Sequence, residues 1–138
     1  MKPSPRRKAR ELAVQAIYSW QISQNSVTDV EVNFITDNSK RRFDIEYFQQ
    51  LLRGVTSNVS EIDSLISPHV DRLLDDIDQV EKAILRVAVF ELTDCKEVPY
   101  RVVINEAIEL AKSFAADDSH KFVNGVLDKV VKVIRPQE

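Results

Sequence analysis

The chain has 138 residues, a net charge of -3 and a hydrophobic fraction of 43%, which are ordinary values for a single globular domain. Its one cysteine, Cys95, excludes an internal disulfide framework and a multi-cysteine zinc site. No apolar run approaches the roughly 18 residues of a membrane span, so we expect a cytoplasmic protein with no membrane segment and no cofactor.

The charge is distributed unevenly along the chain. Residues 1–10 carry five Lys or Arg and no acidic residue, whereas the remaining 128 residues carry 14 basic and 22 acidic ones. A short basic segment on an acidic body is not the pattern of a general polyanion binder. We expect a nucleic-acid contact confined to the N-terminus, and a second surface that is acidic.

Helical periodicity dominates the sequence, because only two glycines occur and no segment alternates apolar and polar residues as a strand does. The apolar spacing predicts helices over residues 4–23, 27–36, 44–66, 79–94, 100–115 and 119–134, with further turns within 69–77. The predicted fold class is all-α. It is a compact seven-helix bundle in a single domain, 1–138, with sub-bundles at about 1–68 and 69–138.

Local signals support several of these boundaries. Ser4 followed by Pro5 is an N-cap pattern, and Asp78 three residues before Glu81 is a capping-box variant. Apolar residues cover most of the circumference of helix 79–94, which predicts that this helix is buried at the centre of the bundle.

Both glycines, Gly54 and Gly125, lie inside predicted helices. A glycine there lowers helix propensity by roughly 1 kcal/mol relative to alanine. We therefore expect another helix to approach closely at each position.

The basic arm begins the first helix. In a helix Arg6 and Arg10 lie one turn apart, and the side that carries Arg7 and Arg10 continues through Val14 to Tyr18, off the apolar stripe. Arginine pairs bidentately with phosphate and an exposed tyrosine stacks on unpaired bases, so this side predicts RNA binding. The alternative is a frayed terminus that only aids solubility.

A second candidate patch, DDSHKFVNG at residues 117–125, begins the last helix. Asp118 and Ser119 are typical capping residues. Phe122 lies at the edge of the apolar stripe beside Lys121, and an aromatic ring next to a cation at a helix N-terminus suits base stacking. Packing of Phe122 in the core is an equally open alternative. The patch completes the RNA site if the last helix packs near the first.

No catalytic motif is recognisable, and we expect no enzyme. Ser119 and His120 are adjacent, so on a helix they point apart and cannot form a nucleophile–base pair. A run of carboxylates is more typical of a solvated face, or of a surface for a basic protein, than of a metal site; it comprises Asp71, Asp75, Asp76, Asp78 and Glu81.

Three segments resemble the bacterial NusB family of transcription antitermination factors. They are RRKARELAVQAIYSWQ, QVEKAILRVAVFEL and VPYRVVINEAIELAKSFAADDSHKFVNGVLDKV, and the resemblance spans nearly the whole chain. INEAIELAK followed by FVNGVLDK is the most specific part. One departure is Ala115-Ala116, where the family often has a glycine before the acidic pair, and it concerns the geometry of that loop.

The resemblance implies a fold of seven helices in two sub-bundles. It also implies binding of boxA, a short single-stranded element in the nascent RNA of ribosomal RNA operons. The partner would be NusE, a small-subunit ribosomal protein, in a heterodimer that joins an RNA polymerase antitermination complex. The RNA-binding residues that the resemblance implies are Lys2, Arg6, Arg7, Arg10, Tyr18, Asp118, Ser119, Lys121 and Phe122.

Because a ribosomal protein is typically basic, we expect NusE to dock on an acidic rim, defined as Asp75, Asp76, Asp78 and Glu81. Two alternatives to the antitermination factor stay open. One is a NusB-like RNA-binding module accessory to ribosomal RNA modification, which we disfavour because no cofactor-binding domain is recognisable before Glu138. The other is a structural adaptor that binds no RNA.

Overall fold

The computed structural model describes residues 4–23 and 25–138, and within these ranges the chain forms seven α-helices and no strand. The all-α, seven-helix prediction is confirmed. The helices are α1 (Pro5–Ile22), α2 (Val27–Asp37), α3 (Ile45–Ser57), α4 (Val59–Ile66), α5 (Gln79–Asp94), α6 (Tyr100–Phe114) and α7 (Ser119–Ile134).

The predicted single helix over 44–66 is wrong, because the chain breaks at Asn58 into α3 and α4. Asn58 leaves the helical region of backbone conformation, and its side-chain amide donates to the carbonyl of Gly54 at 2.8 Å. This bond ends α3 in the way that asparagine commonly satisfies a terminal carbonyl. The apolar stripe continues across the break, so its periodicity does not reveal it.

The segment 69–77 contains no α-helix. Two single 3-10 turns, Ser67–His69 and Leu74–Asp76, flank an extended connection between α4 and α5. The predicted total of seven helices is therefore reached by a different division of the chain, since α3 and α4 replace one helix and the turns replace another.

Helix α5 lies at the centre of the bundle, as its apolar circumference predicts. It packs against α1, α3, α4, α6 and α7, and one continuous apolar core joins all of these elements. The division into sub-bundles near residue 68 stays a prediction, because α1 packs on α5 across that boundary. Within the described ranges, no helix combines the length and the apolar character that crossing a membrane requires.

Both predicted caps form. The Ser4 hydroxyl accepts the backbone N–H of Arg7 at 3.1 Å, which fixes the first turn of α1. The Asp78 carboxylate accepts the N–H groups of Val80 and Glu81 at 3.0 and 3.1 Å, which satisfies two free donors at the start of α5.

The two glycines have opposite environments. A Cβ atom built at Gly54 would lie 2.1 to 2.8 Å from ring atoms of Phe90 on α5, which confirms the predicted close helix contact. A Cβ atom at Gly125 would meet nothing within 4 Å, so the prediction of a close approach there is wrong. Only Gly54 is required by packing.

This contrast yields a paired stability test. We expect Gly54→Ala to lower the free energy of unfolding by about 1–3 kcal/mol, because the new methyl group overpacks the core against Phe90. We expect Gly125→Ala to raise it by roughly 0.5–1 kcal/mol, since alanine is the better helix former and the site is open. Urea unfolding of both variants measures the two shifts, and shifts of the same sign would contradict the packing described here.

Candidate nucleic-acid interface

The basic arm projects from the capped N-terminal end of α1. Arg6 and Arg7 are both exposed, and Lys2 lies outside the described residues. The guanidinium of Arg6 lies over the ring of Tyr47 with its carbon 4.1 Å from the ring centroid. This cation–π contact orients the side chain without neutralising its charge.

Arg7 is held by a carboxylate on another helix. Its Nε donates to Glu106 of α6 at 3.0 Å, although the Arg7 side chain remains 51% exposed. The ion pair leaves donors of the guanidinium fork available to a second acceptor. Arg6 and Arg7 together therefore present a pre-oriented cationic surface that suits phosphate oxygens.

Arg10 does not belong to that surface. Its residue is only 5% exposed, and its Nε donates to both oxygens of Glu91 on α5, at 2.9 and 3.0 Å. Glu106 lies 3.4 Å from another nitrogen of Arg10, and the Tyr47 hydroxyl donates to Glu91 at 2.5 Å. The expectation that Arg10 lies off the buried face is wrong, because a buried carboxylate draws it into the helix interface. We therefore leave Arg10 out of the RNA surface.

Burial raises the pKa of the Tyr47 hydroxyl far above its usual range, and the adjacent Glu91 carboxylate raises it further. The hydroxyl therefore stays protonated and serves Glu91 as a permanent donor. Arg10, Tyr47 and Glu91 form a buried polar network beneath the arm, and Glu106 connects it to Arg7.

Tyr18 is an exposed aromatic on α1, as the sequence predicts. Val14, one turn before it, is buried, so the expected continuous exposed line from Arg7 through Arg10 and Val14 is wrong. Eleven residues of helix separate Arg7 from Tyr18, which corresponds to about 16 Å along the axis. Tyr18 is thus an isolated exposed ring rather than the end of a polar stripe.

At the start of α7, Asp118 adopts a left-handed backbone conformation with φ of 69°. Its side chain makes no capping bond to the helix and instead forms an exposed ion pair with Lys121 at 3.3 Å. Ser119 is buried, so it is not available for direct contact with a large ligand. Of the predicted patch, Asp118 and Lys121 are open to solvent.

Phe122 is half-buried against the core, and the guanidinium of Arg72 lies 4.7 Å from its ring centroid. One edge of the ring lines an open cavity of about 340 Å³ between the α4–α5 connection and α7. Lys121, Gly125 and Lys129 also line it, and the absent side chain at Gly125 widens it. Phe122 thus both packs in the core and presents an edge to a partly cationic cavity.

The expected direct packing of the last helix on the first is not found. Helix α1 packs mainly on α3 and α5, and α7 packs mainly on α5 and α6, so α1 and α7 share no extensive contact. Helix α6 links the two candidate patches, since it holds Arg7 through Glu106 and then leads into α7. At its end Phe114, which the sequence assigns to the core stripe, is 41% exposed and lines a cavity with Arg7.

A second basic surface, missed by the sequence interpretation, lies beside the arm. Lys40, Arg41 and Arg42 are all exposed in the connection between α2 and α3. The N–H of Asp44 at the end of this connection donates to the carbonyl of Pro5 at 3.0 Å. The signal that finds this surface is the run KRR in an otherwise acidic body.

The acidic rim is less uniform than predicted. Asp75, Asp76 and Asp78 are exposed, but Glu81 is buried, because it lies one turn inside α5 and turns toward the core. Lys82, only 7% exposed, lines a polar cavity of about 550 Å³ together with Asp75. The rim therefore presents three carboxylates around a cavity that contains a cation.

No group of three or more potential metal ligands assembles anywhere in 4–23 and 25–138. Cys95 is buried, and burial raises the pKa of its thiol, which disfavours the reactive thiolate. The assembled features are exposed cations, aromatic rings and carboxylates, which recognise ligands by charge and stacking.

Comparison with known proteins decides the family. Residues 7–132 match the model of the NusB family. The chain is 84% identical to the transcription antitermination protein NusB of Colwellia psychrerythraea, over the full length of both chains. The protein belongs to the NusB family. This family of transcription antitermination factors is the one that the three sequence segments resemble.

Two solved structures of the NusB family share the fold. NusB of T. maritima is 34% identical and superposes with a TM-score of 0.82, over 96% of this chain and 93% of that one. A second structure contains the antitermination factors NusB and NusE in complex with double-stranded RNA. It superposes with a TM-score of 0.84 at 28% identity, over 92% of this chain and 96% of that one.

Proposed function

We propose that this protein binds boxA-type single-stranded RNA together with NusE and thereby supports processive transcription of ribosomal RNA operons. The observation that carries the proposal is the pair of exposed arginines, Arg6 and Arg7, oriented at the end of α1 on a chain whose remaining body is acidic. The solved complex of relatives with NusE and RNA supports the choice of partners.

The mechanism requires no chemistry on covalent bonds. Arg6 and Arg7 hold phosphates and provide affinity, whereas stacking and contacts to base edges provide selectivity. The exposed rings available for stacking are Tyr18, Phe114 and the free edge of Phe122. Lys121 adds a further cation at the start of α7.

We infer that NusE docks on the acidic rim. The exposed carboxylates of Asp75, Asp76 and Asp78 complement a basic ribosomal protein and steer its approach. Ile22 and Leu73, which are 55% and 72% exposed, lie next to residues that line the rim's cavity and add apolar area. Such apolar groups with a charged surround are typical of a protein interface.

Joining NusE to this protein places two RNA-contacting surfaces on one particle. The second contact then forms at a high effective concentration, which raises the affinity for an RNA that spans both. With few exposed arginines, this protein alone should bind RNA modestly and with a marked salt dependence.

RNA binding with and without NusE, at about 50 and 200 mM salt, tests the proposal. We expect a boxA-like RNA to bind at least about tenfold more tightly than a scrambled RNA of equal length, because base contacts add to the common phosphate contacts. We also expect NusE to increase the affinity. Equal affinities for the two RNAs in the presence and absence of NusE would refute specific recognition.

A further inference from the structure

We propose that the loop Lys40-Arg41-Arg42 is a second phosphate-binding surface that continues the basic arm, so that the bound RNA strand runs from α1 onto the α2–α3 connection. The inference rests on the proposed RNA-binding function and extends it to residues outside the arm. It starts from a backbone contact that joins the two segments.

The loop is held against the arm. The N–H of Asp44 donates to the carbonyl of Pro5 at 3.0 Å, and the Asp44 carboxylate caps α3 through the N–H of Tyr47 at the same distance. Because consecutive Cα atoms are about 3.8 Å apart, Arg42 lies within about 14 Å of Pro5. A few nucleotides of single-stranded RNA bridge such a distance.

The loop is anchored rather than trailing. Phe43 packs edge-on against Phe48 of the core with ring centroids 5.9 Å apart. At the other end, Asn38 closes α2 by donating its side-chain amide to the carbonyl of Phe34 at 2.7 Å, and its own carbonyl accepts the N–H of Arg41 at 2.9 Å. The three cations are therefore displayed on a turn with both ends tied to the core, which reduces the entropy lost on binding.

The charges on this loop have no counter-ions among the described residues. The ion pairs of the described chain engage Arg7, Arg10, Arg53 and Arg86 among other cations, but none engages Lys40, Arg41 or Arg42. Three adjacent like charges repel one another, and a string of phosphates relieves that repulsion while releasing counter-ions. On a body with an excess of acid, this loop and the arm are the two places where basic residues run together.

Tyr47 lies between the two surfaces. It begins α3 just after the loop, and its ring supports the Arg6 guanidinium at 4.1 Å. The same residue that orients the arm therefore follows the loop by one helical turn. We infer a continuous cationic face composed of Arg6, Arg7, Lys40, Arg41 and Arg42.

The test compares Arg41→Ala/Arg42→Ala with a control that removes the same charge elsewhere, Arg53→Ala/Lys132→Ala. Arg53 pairs with Glu31, and Lys132 lies near the end of α7. We expect the loop variant to bind a boxA-like RNA about tenfold more weakly than the wild type, with a salt slope smaller by about 1.4, since each phosphate contact to a single strand contributes roughly 0.7. The control should lose less than about threefold.

The RNA length provides a second readout. Shortening the RNA from one end should reduce wild-type affinity to that of the loop variant, after which the two proteins should bind equally. If the wild type prefers the boxA-like RNA and the loop variant retains both its affinity and its salt slope, the inference is wrong while the proposed function stands. If the wild type shows no preference for the boxA-like RNA, the proposed function itself fails. Circular dichroism should show unchanged helicity in both variants, because these side chains are exposed.

Discussion

Replacing Glu91 with glutamine should lower the free energy of unfolding by about 3 kcal/mol, because it removes the counter-ion of a buried arginine. Glu91 is 2% exposed and accepts three hydrogen bonds, two from Arg10 and one from the Tyr47 hydroxyl. Glutamine has nearly the same shape, so the loss reports the charge rather than a cavity. Urea unfolding monitored by circular dichroism measures it.

The size of this effect follows from what remains after the change. Arg10 keeps its charge at every accessible pH, and its next carboxylate, Glu106, is 3.4 Å away and already shared with Arg7. A glutamine amide cannot replace the missing negative charge. An uncompensated buried cation of this kind typically destabilises a protein by about 3–5 kcal/mol.

A matched control is available on the surface. Glu109→Gln removes an equal charge from an exposed pair with Lys112, whose atoms are 3.8 Å apart, and should change stability by less than about 0.5 kcal/mol. The double variant Arg10→Met/Glu91→Met should lose less than the sum of its two single variants, because it leaves neither charge alone. Equal stability of Glu91→Gln and the wild type would contradict the described network.

Sequence periodicity predicts most of this fold because the packing follows helix spacing. The observed bounds of α5 and α7 coincide with the predicted ones, and the central position of α5 follows from its apolar circumference. The break at Asn58 is missed for a physical reason. A single side-chain bond to the carbonyl of Gly54 interrupts the backbone while leaving the apolar stripe in phase.

Long-range charge pairing is the part that periodicity cannot predict. Arg10 and Glu91 are 81 residues apart, and nothing in the local pattern at Arg10 distinguishes it from the exposed Arg6 and Arg7. The same holds for Arg135, which the helix pattern merely leaves at the end of α7. Its guanidinium donates to the carbonyls of Glu91, Leu92, Cys95 and Val98 and thereby satisfies the C-terminal end of α5.

The candidate site was predicted in part for related reasons. Charge asymmetry and the resemblance lead to Arg6 and Arg7, which are exposed as expected, because a helix N-terminus leaves its first turn in solvent. The loop Lys40-Arg41-Arg42 was passed over as a polar connection. Its value depends on the contact between Asp44 and Pro5, which joins residues 39 positions apart and has no local signature.

Removing both arm arginines, in Arg6→Ala/Arg7→Ala, should weaken binding of a boxA-like RNA about 10- to 100-fold, because each loses charge-assisted hydrogen bonds to phosphate worth roughly 1.5–3 kcal/mol. The slope of log affinity against log salt should fall by about 1.4. Helicity and stability should change little, since both side chains are exposed. Fluorescence titration at several salt concentrations measures both quantities.

The two single variants should differ in a way that the structure explains. Arg7 shares its charge with Glu106 at 2.9 Å, so an incoming phosphate must compete with a carboxylate already in place. Arg6 contacts the neutral ring of Tyr47 at 4.1 Å and no carboxylate at ion-pair distance among the described residues, so its whole charge is open to the ligand. Arg6→Ala should therefore reduce the salt slope more than Arg7→Ala, whereas Arg53→Ala/Lys132→Ala should leave it unchanged. RNA binding that survives loss of both arm arginines, with its salt slope intact, would place the phosphate contacts elsewhere on the protein.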